Sequence, residues 1–156
     1  MRNFVSLLTL HLALYTVLSS QWLEAIIPVG ENPWTLVYNS TDNKVYCANL
    51  DGNSVSVIDK YNSVIRTVPV GEHPYALVYN PTNNKVYCAN YFSHSVTVID
   101  GRTDSVIRTI NAGNAPVAFA YNPSNNKIYC ANSIYHGTVT VIDGATDSVI
   151  KTIPIP

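Results

Sequence analysis

Three cysteines, three loop histidines and a recurring aspartate are the side chains of this 156-residue chain best suited to chemistry. Cys47, Cys88 and Cys130 could in principle pair as a disulfide or ligate a metal. Their spacings of 41 and 42 residues contain no Cys-x-x-Cys and no Cys–His pair at metal-ligand separation. Each sits inside an apolar run, where a thiol serves as a small buried hydrophobe. Equivalent positions on successive structural units also lie farther apart than the roughly 7 Å between α-carbons that a disulfide spans. The cysteines therefore read as core residues. His73, His94 and His136 fall in loops, while His11 belongs to a separate N-terminal segment. No Gly-x-Ser-x-Gly elbow, phosphate-binding loop, dinucleotide fingerprint or His-Glu-x-x-His pair accompanies them. Asp59, Asp100 and Asp143 each precede a tight turn, where a carboxylate accepts backbone N–H groups. A calcium loop would need several oxygen ligands within about a dozen residues, which these turns lack.

The spacing of these residues points to the elements that carry them. Gly30, Gly71 and Gly113 are 41 and 42 residues apart, and Tyr38, Tyr79 and Tyr121 keep the same register. Asp59, Asp100 and Asp143 are 41 and 43 apart, the extra residue falling in loop 133–137 of the third copy. Four residue types in one register mark an internal repeat of about 42 residues, with copies at 29–69, 70–111 and 112–154. In the middle copy, apolar runs at 74–79, 85–89, 95–99 and 105–110 are separated by Asn/Pro- and Asp/Gly-rich turns. Short runs punctuated in this way predict a four-stranded antiparallel meander, the size of one β-propeller blade. Runs such as LVY, KVYCA and SVIRTI carry apolar residues on both pleat faces, as strands sandwiched between neighbouring blades do. The predicted fold class is all-β: three four-stranded blades plus a lone outer strand at 22–28, which aligns with residues 63–69. Three blades are fewer than the four to eight of closed propellers. The chain is expected to be the N-terminal part of a longer propeller, against a competing expectation of self-association through unpaired blade faces.

Composition narrows the class further. Apolar residues make up 47% and charged residues 12%, with a net charge of −1, which argues against disorder. No Lys/Arg run is present, so nucleic acid is not an expected partner. Residues 1–20 combine a basic start, an apolar stretch from Phe4 to Leu18 and small residues near Ser19, the pattern of a cleaved signal peptide. That stretch is shorter than the roughly 20 residues of a membrane span. The expected location is periplasmic, secreted or cell-surface, with no membrane span after cleavage. Asn39-Ser40-Thr41 is a glycosylation sequon that export would make accessible.

The segment Tyr87-Cys88-Ala89-Asn90, followed by Ser95-Val96-Thr97-Val98-Ile99-Asp100, resembles the YVTN-type β-propeller repeat of archaeal surface-layer and YncE-like periplasmic proteins. The Val-Gly-x-x-Pro and Tyr-Asn-Pro-x-x-Asn-Lys segments fit the same pattern over residues 22–156. Cys replaces the usual Val at the second motif position in all three copies. The resemblance implies a propeller and leaves the activity open, because propellers host unrelated functions. DNA binding, known among YncE-like proteins, finds no basic patch here.

The copies differ where function is expected. In a meander, the connection into the first strand and the loop between the second and third strands share one face. There the sequence varies between copies, whereas the turns of the opposite face stay close to Asn-Pro-x-Asn-Asn and Asp-Gly-x-Thr-Asp. The candidate binding residues are Glu72, His73, Tyr91, Phe92, His94, Tyr135 and His136. Large apolar groups in loops mark either a binding surface or packing on a neighbouring blade. The function expected from these residues is a non-enzymatic binding or cell-surface scaffold, without cofactor or metal, recognising a protein or surface ligand. The alternative is part of a propeller enzyme or redox subunit with a cofactor or substrate near the axis.

Overall fold

The computed structural model describes residues 25–133 and 137–155. The signal-peptide expectation at 1–20, residues 22–24 of the lone outer strand, and Tyr135 and His136 all lie outside the described residues. Among the described residues, twelve strands form three antiparallel sheets in simple meander order. Blade 1 contains β1 (Pro33–Asn39), β2 (Lys44–Asn49), β3 (Ser54–Ile58) and β4 (Val64–Pro69). Blade 2 contains β5 (Pro74–Asn80), β6 (Lys85–Asn90), β7 (Ser95–Asp100) and β8 (Val106–Asn111). Blade 3 contains β9 (Pro116–Asn122), β10 (Lys127–Asn132), β11 (Thr138–Asp143) and β12 (Val149–Pro154). Residues 25–28 lie outside these sheets. No helix among the described residues is long and apolar enough to cross a membrane.

The turn chemistry follows the sequence. Asn43, Asn84 and Asn126 take left-handed φ values of 52°, 50° and 51° at the first turn of each blade, a conformation Asn tolerates. Asn39 Oδ1 accepts the N–H groups of Thr41 (2.9 Å) and Asp42 (3.1 Å), and Asn80 holds the next turn in the same way. Asp100 Oδ1 accepts from Arg102 N and Thr103 N at 3.0 and 2.8 Å, and Asp143 repeats the pattern. The sequon expectation fails on this geometry. Asn39 is fully buried, and its Nδ2 donates to Asn84 Oδ1 across the blade interface at 2.9 Å, leaving no room for a glycan.

Two apolar seams hold the blades together. Tyr46, Val55, Val57 and Val68 of blade 1 pack on Val86, Cys88 and Ile99 of blade 2. Tyr87, Val96, Val98 and Ile110 of blade 2 pack on Ile128, Cys130 and Ile142 of blade 3. Burying a side chain of this size contributes roughly 1.5–3 kcal/mol. Cys88 and Cys130 sit in these seams and Cys47 is buried in blade 1, all three as free thiols, and burial pushes Cys130 up to about 12. The outer strands depart from the expectation of burial on both faces. The SVIRT-type outer strands are not buried on both faces: Val64, Ile65, Val106 and Ile107 are exposed, and only Val68 and Ile110 turn inward. Blades splay apart away from the axis, so the outermost strand loses its neighbours.

A polar contact closes each seam at the turn end. Lys44 Nζ reaches Asp104 of blade 2 at 2.8 Å, and Tyr46 Oη donates to the same carboxylate at 2.5 Å. Lys85 and Tyr87 repeat this on Asp147 of blade 3, at 2.7 and 2.6 Å. Asp104 and Asp147, at the far side of the Asp-Gly-x-Thr-Asp turns, are thus buried links between blades. Among the described residues, every buried side-chain nitrogen and oxygen has a hydrogen-bond partner.

Removing one partner leaves a buried charge uncompensated, which costs about 3–5 kcal/mol. Asp104→Ala is expected to lower unfolding free energy in urea by about that amount; a loss below about 1 kcal/mol would mean that the contact is solvated. Burial, reinforced by the hydrogen bond to Asp104 or Asp147, holds the Tyr46 and Tyr87 hydroxyls well above the ordinary tyrosine value. A raised folded-state value gives stability that is complete below the unfolded tyrosine pKa of about 10 and is lost as pH rises above it. In an ultraviolet titration these tyrosines should therefore ionise only together with unfolding. Their ionisation near pH 10 with the fold intact would contradict this packing.

Candidate functional site: the aromatic loop face

The loops at the other end of the blades are tied by backbone bonds that repeat with each copy. Leu50 N donates to Asn32 O at 2.9 Å, Tyr91 N to His73 O at 2.8 Å, and Ser133 N to Ala115 O at 3.0 Å. The connection into the first strand and the loop after the second strand therefore share one face, as the meander requires. Asn32, His73 and Ala115 occupy equivalent positions with φ of 52°, 53° and 49°. A left-handed conformation costs an L-residue roughly 1–2 kcal/mol, and the tight connection imposes it whatever the side chain.

An aromatic row runs across this face from blade 1 to blade 2. Trp34 and Tyr75 have ring centroids 5.4 Å apart, Tyr75 and Tyr91 5.8 Å, and Tyr91 and Phe92 5.1 Å. His73 closes the row, its ring 4.2 Å from that of Phe92. Its backbone N–H donates to Asn53 Oδ1 at 3.0 Å, and its Nε2 lies 3.7 Å from Asp51 Oδ1. Asp51 is also held by Asn32 Nδ2 at 2.9 Å. Trp34 and Phe92 remain about half exposed, at 52% and 53%. The row is thus a tethered surface and not a buried cluster.

Of the residues expected at the site, His73, Tyr91 and Phe92 come together directly. Glu72 flanks them with its side chain in solvent, its N–H donating to Ser93 Oγ at 2.7 Å. His94 does not join them. Its Nδ1 accepts Ala115 N at 3.0 Å, which makes it a tie between blades 2 and 3. Trp34, Tyr75 and Asp51 complete the surface. Trp34 and Tyr75 follow the proline of each connection, and aromatics in two copies against Val117 in the third were the available signal. Charge is uneven between the two ends. Glu31, Asp51 and Glu72 lie in the loop-face connections, whereas the described lysines and arginines all lie in the strands or the opposite turns. Among the described residues, no three His, Cys, Asp or Glu side chains gather as a metal site would require.

The architecture is that of β-propeller blades, and comparison with solved structures agrees. Over 87% of this chain and 40% of that one, it superposes on hydrazine synthase from Kuenenia stuttgartiensis with a TM-score of 0.74 and 22% identity. Apo AztD from Citrobacter koseri matches with a TM-score of 0.67 and 15% identity, over 86% of this chain and 37% of that one. The WD40 repeats of RRP9 match at 0.72 and 14%, over 83% and 41%. The chain therefore spans less than half the length of these propellers. No known family profile and no curated sequence relative matches it. Likeness at these identities defines the fold and leaves the activity to the site.

Position 73 offers a direct test of the loop geometry. His73→Val, β-branched at positive φ, should be less stable than His73→Gly by about 1–2 kcal/mol in denaturant titration. Equal stabilities would mean that the connection does not impose a left-handed residue there.

Proposed function

We propose that this chain is an exported, non-catalytic propeller module of the YVTN type that binds a protein or cell-surface ligand through its loop face. The aromatic row of Trp34, Tyr75, Tyr91 and Phe92 carries the reading. Half-exposed aromatics held by a scaffold provide contact area without the entropy cost of ordering flexible chains, and Tyr and Trp dominate binding hot spots. The three carboxylates beside the row, with no lysine or arginine in the same connections, favour a positively charged partner. The repeated Tyr-Cys-Ala-Asn and Val-Thr-Val-Ile-Asp segments support the family assignment, and the basic-then-apolar start of the chain supports export.

Trp34 provides the readout. A lysine/arginine-rich peptide should shift its fluorescence with an affinity that weakens as salt rises, while an acidic peptide of equal length should not. Tyr91→Ala with Phe92→Ala should weaken that binding by about tenfold or more, with the melting temperature nearly unchanged. Unaltered binding in the double variant, or a large loss of stability, would mean that the row only packs the blades together.

A further inference from the structure

The blades meet through directional faces. Each trailing face presents a lysine and a tyrosine from its second strand, and the leading faces of blades 2 and 3 receive them with the turn between their third and fourth strands. Blade 2 receives Lys44 Nζ on Gly101 O (3.0 Å) and Asp104, and blade 3 receives Lys85 Nζ on Gly144 O (3.2 Å) and Asp147. Blade 3 carries the same pair, Lys127 and Tyr129, on its own trailing face. Its last described residue also behaves as a connector. Ile155 N donates to Gly137 O at 2.8 Å, as Val70 N does to Asn53 O and Ala112 N to His94 O at 3.1 Å, where the chain enters the next blade.

Blade 1 has no matching receptor. Backbone bonds of 2.9 Å from Asp59 N to Ser63 O, Asp100 N to Ser105 O and Asp143 N to Ser148 O align the three turns. Four steps separate Asp59 from Ser63, against five in the other two, and the missing residue is the one that supplies Asp104 and Asp147. Lys60 stands where Gly101 and Gly144 stand. Neither glycine has positive φ; they are needed for close approach. A Cβ on Gly101 would come within 2.6 Å of Asn39 Nδ2 of the preceding blade, and one on Gly144 within 2.6 Å of Asn80 Nδ2. Lys60 instead extends over the Tyr61 ring, 5.0 Å from its centroid. A second copy presenting this turn would meet Lys127 with a cation and no carboxylate.

We infer that the trailing face of blade 3 is a docking surface for a further blade bearing an Asp-Gly-x-Thr-Asp turn, and that blade 1 of a second copy does not fit it. The carboxylate of such a turn complements Lys127 and accepts Tyr129 Oη, and its glycine admits Asn122. Head-to-tail closure of two chains into a six-bladed ring is therefore blocked by a single turn.

The full chain can be tested by restoring that turn. A variant combining Lys60→Gly with an aspartate inserted between Asn62 and Ser63 should self-associate in sedimentation equilibrium at least about tenfold more tightly than wild type, the worth of one charge-assisted buried bond. Adding Lys127→Met should abolish the gain. In a second arm, a copy of residues 71–111 fused after residue 156 should raise the melting temperature by about 4 °C or more. The same fusion with alanine in place of the appended copy's second turn aspartate should not. Wild-type chain associating as tightly as the restored variant would overturn the inference. So would two fusions of equal stability.

Discussion

The arrangement depends on one buried contact, the carboxylate of Asp104 or Asp147 gripped by a lysine and a tyrosine of the preceding blade. The apolar seams supply most of the favourable free energy, but Val, Ile and Cys side chains pack without strong direction. A blade could slide or rotate against its neighbour with modest loss if apolar contact were all that held it. The carboxylate removes that freedom, since burying it is tolerable only when both donors are in place. Amide bonds beside it, from Asn39 Nδ2 to Asn84 Oδ1 and from Asn80 Nδ2 to Asn126 Oδ1, both 2.9 Å, fix the same seam. Blade register is thus set at the turn end.

With register fixed there, the opposite end is freer to vary. Its loops keep their backbone ties and left-handed residues, but their side chains differ between copies and remain partly in solvent. The same repeat therefore yields a constant polar seam on one face and a variable aromatic, acidic surface on the other. A rigid scaffold with divergent loops is how repeat folds acquire binding surfaces.

Much of the fold was legible because it repeats. The register of Gly, Tyr, Cys and Asp across three copies defined the blades, and the strand limits of the middle copy fell within a residue of those observed. Exposed outer strands were misread because Val-Ile pairs look alike whether or not a neighbour covers them. The Asp104 contact was missed for a different reason. Its partner lies 60 residues away, and the first copy lacks the residue altogether, so the repeat register carries no sign of the contact. At the candidate site, Tyr91 and Phe92 stood out as aromatics in a loop. His94 was grouped with them by adjacency, although its ring turns toward the next blade. Trp34 and Tyr75 were masked by lying at strand starts, where aromatics ordinarily serve packing.

Blade register rests on Asp147 and Tyr87 acting as a coupled pair across a blade interface, and a double-mutant cycle in urea measures that directly. Tyr87→Phe, Asp147→Asn and the combined variant isolate the interaction from the apolar burial both residues share with the seam. A coupling of about 1.5 kcal/mol or more is predicted, in the range of a hydrogen bond to a charged group. A coupling below about 0.5 kcal/mol would contradict it and leave the seam to apolar packing alone.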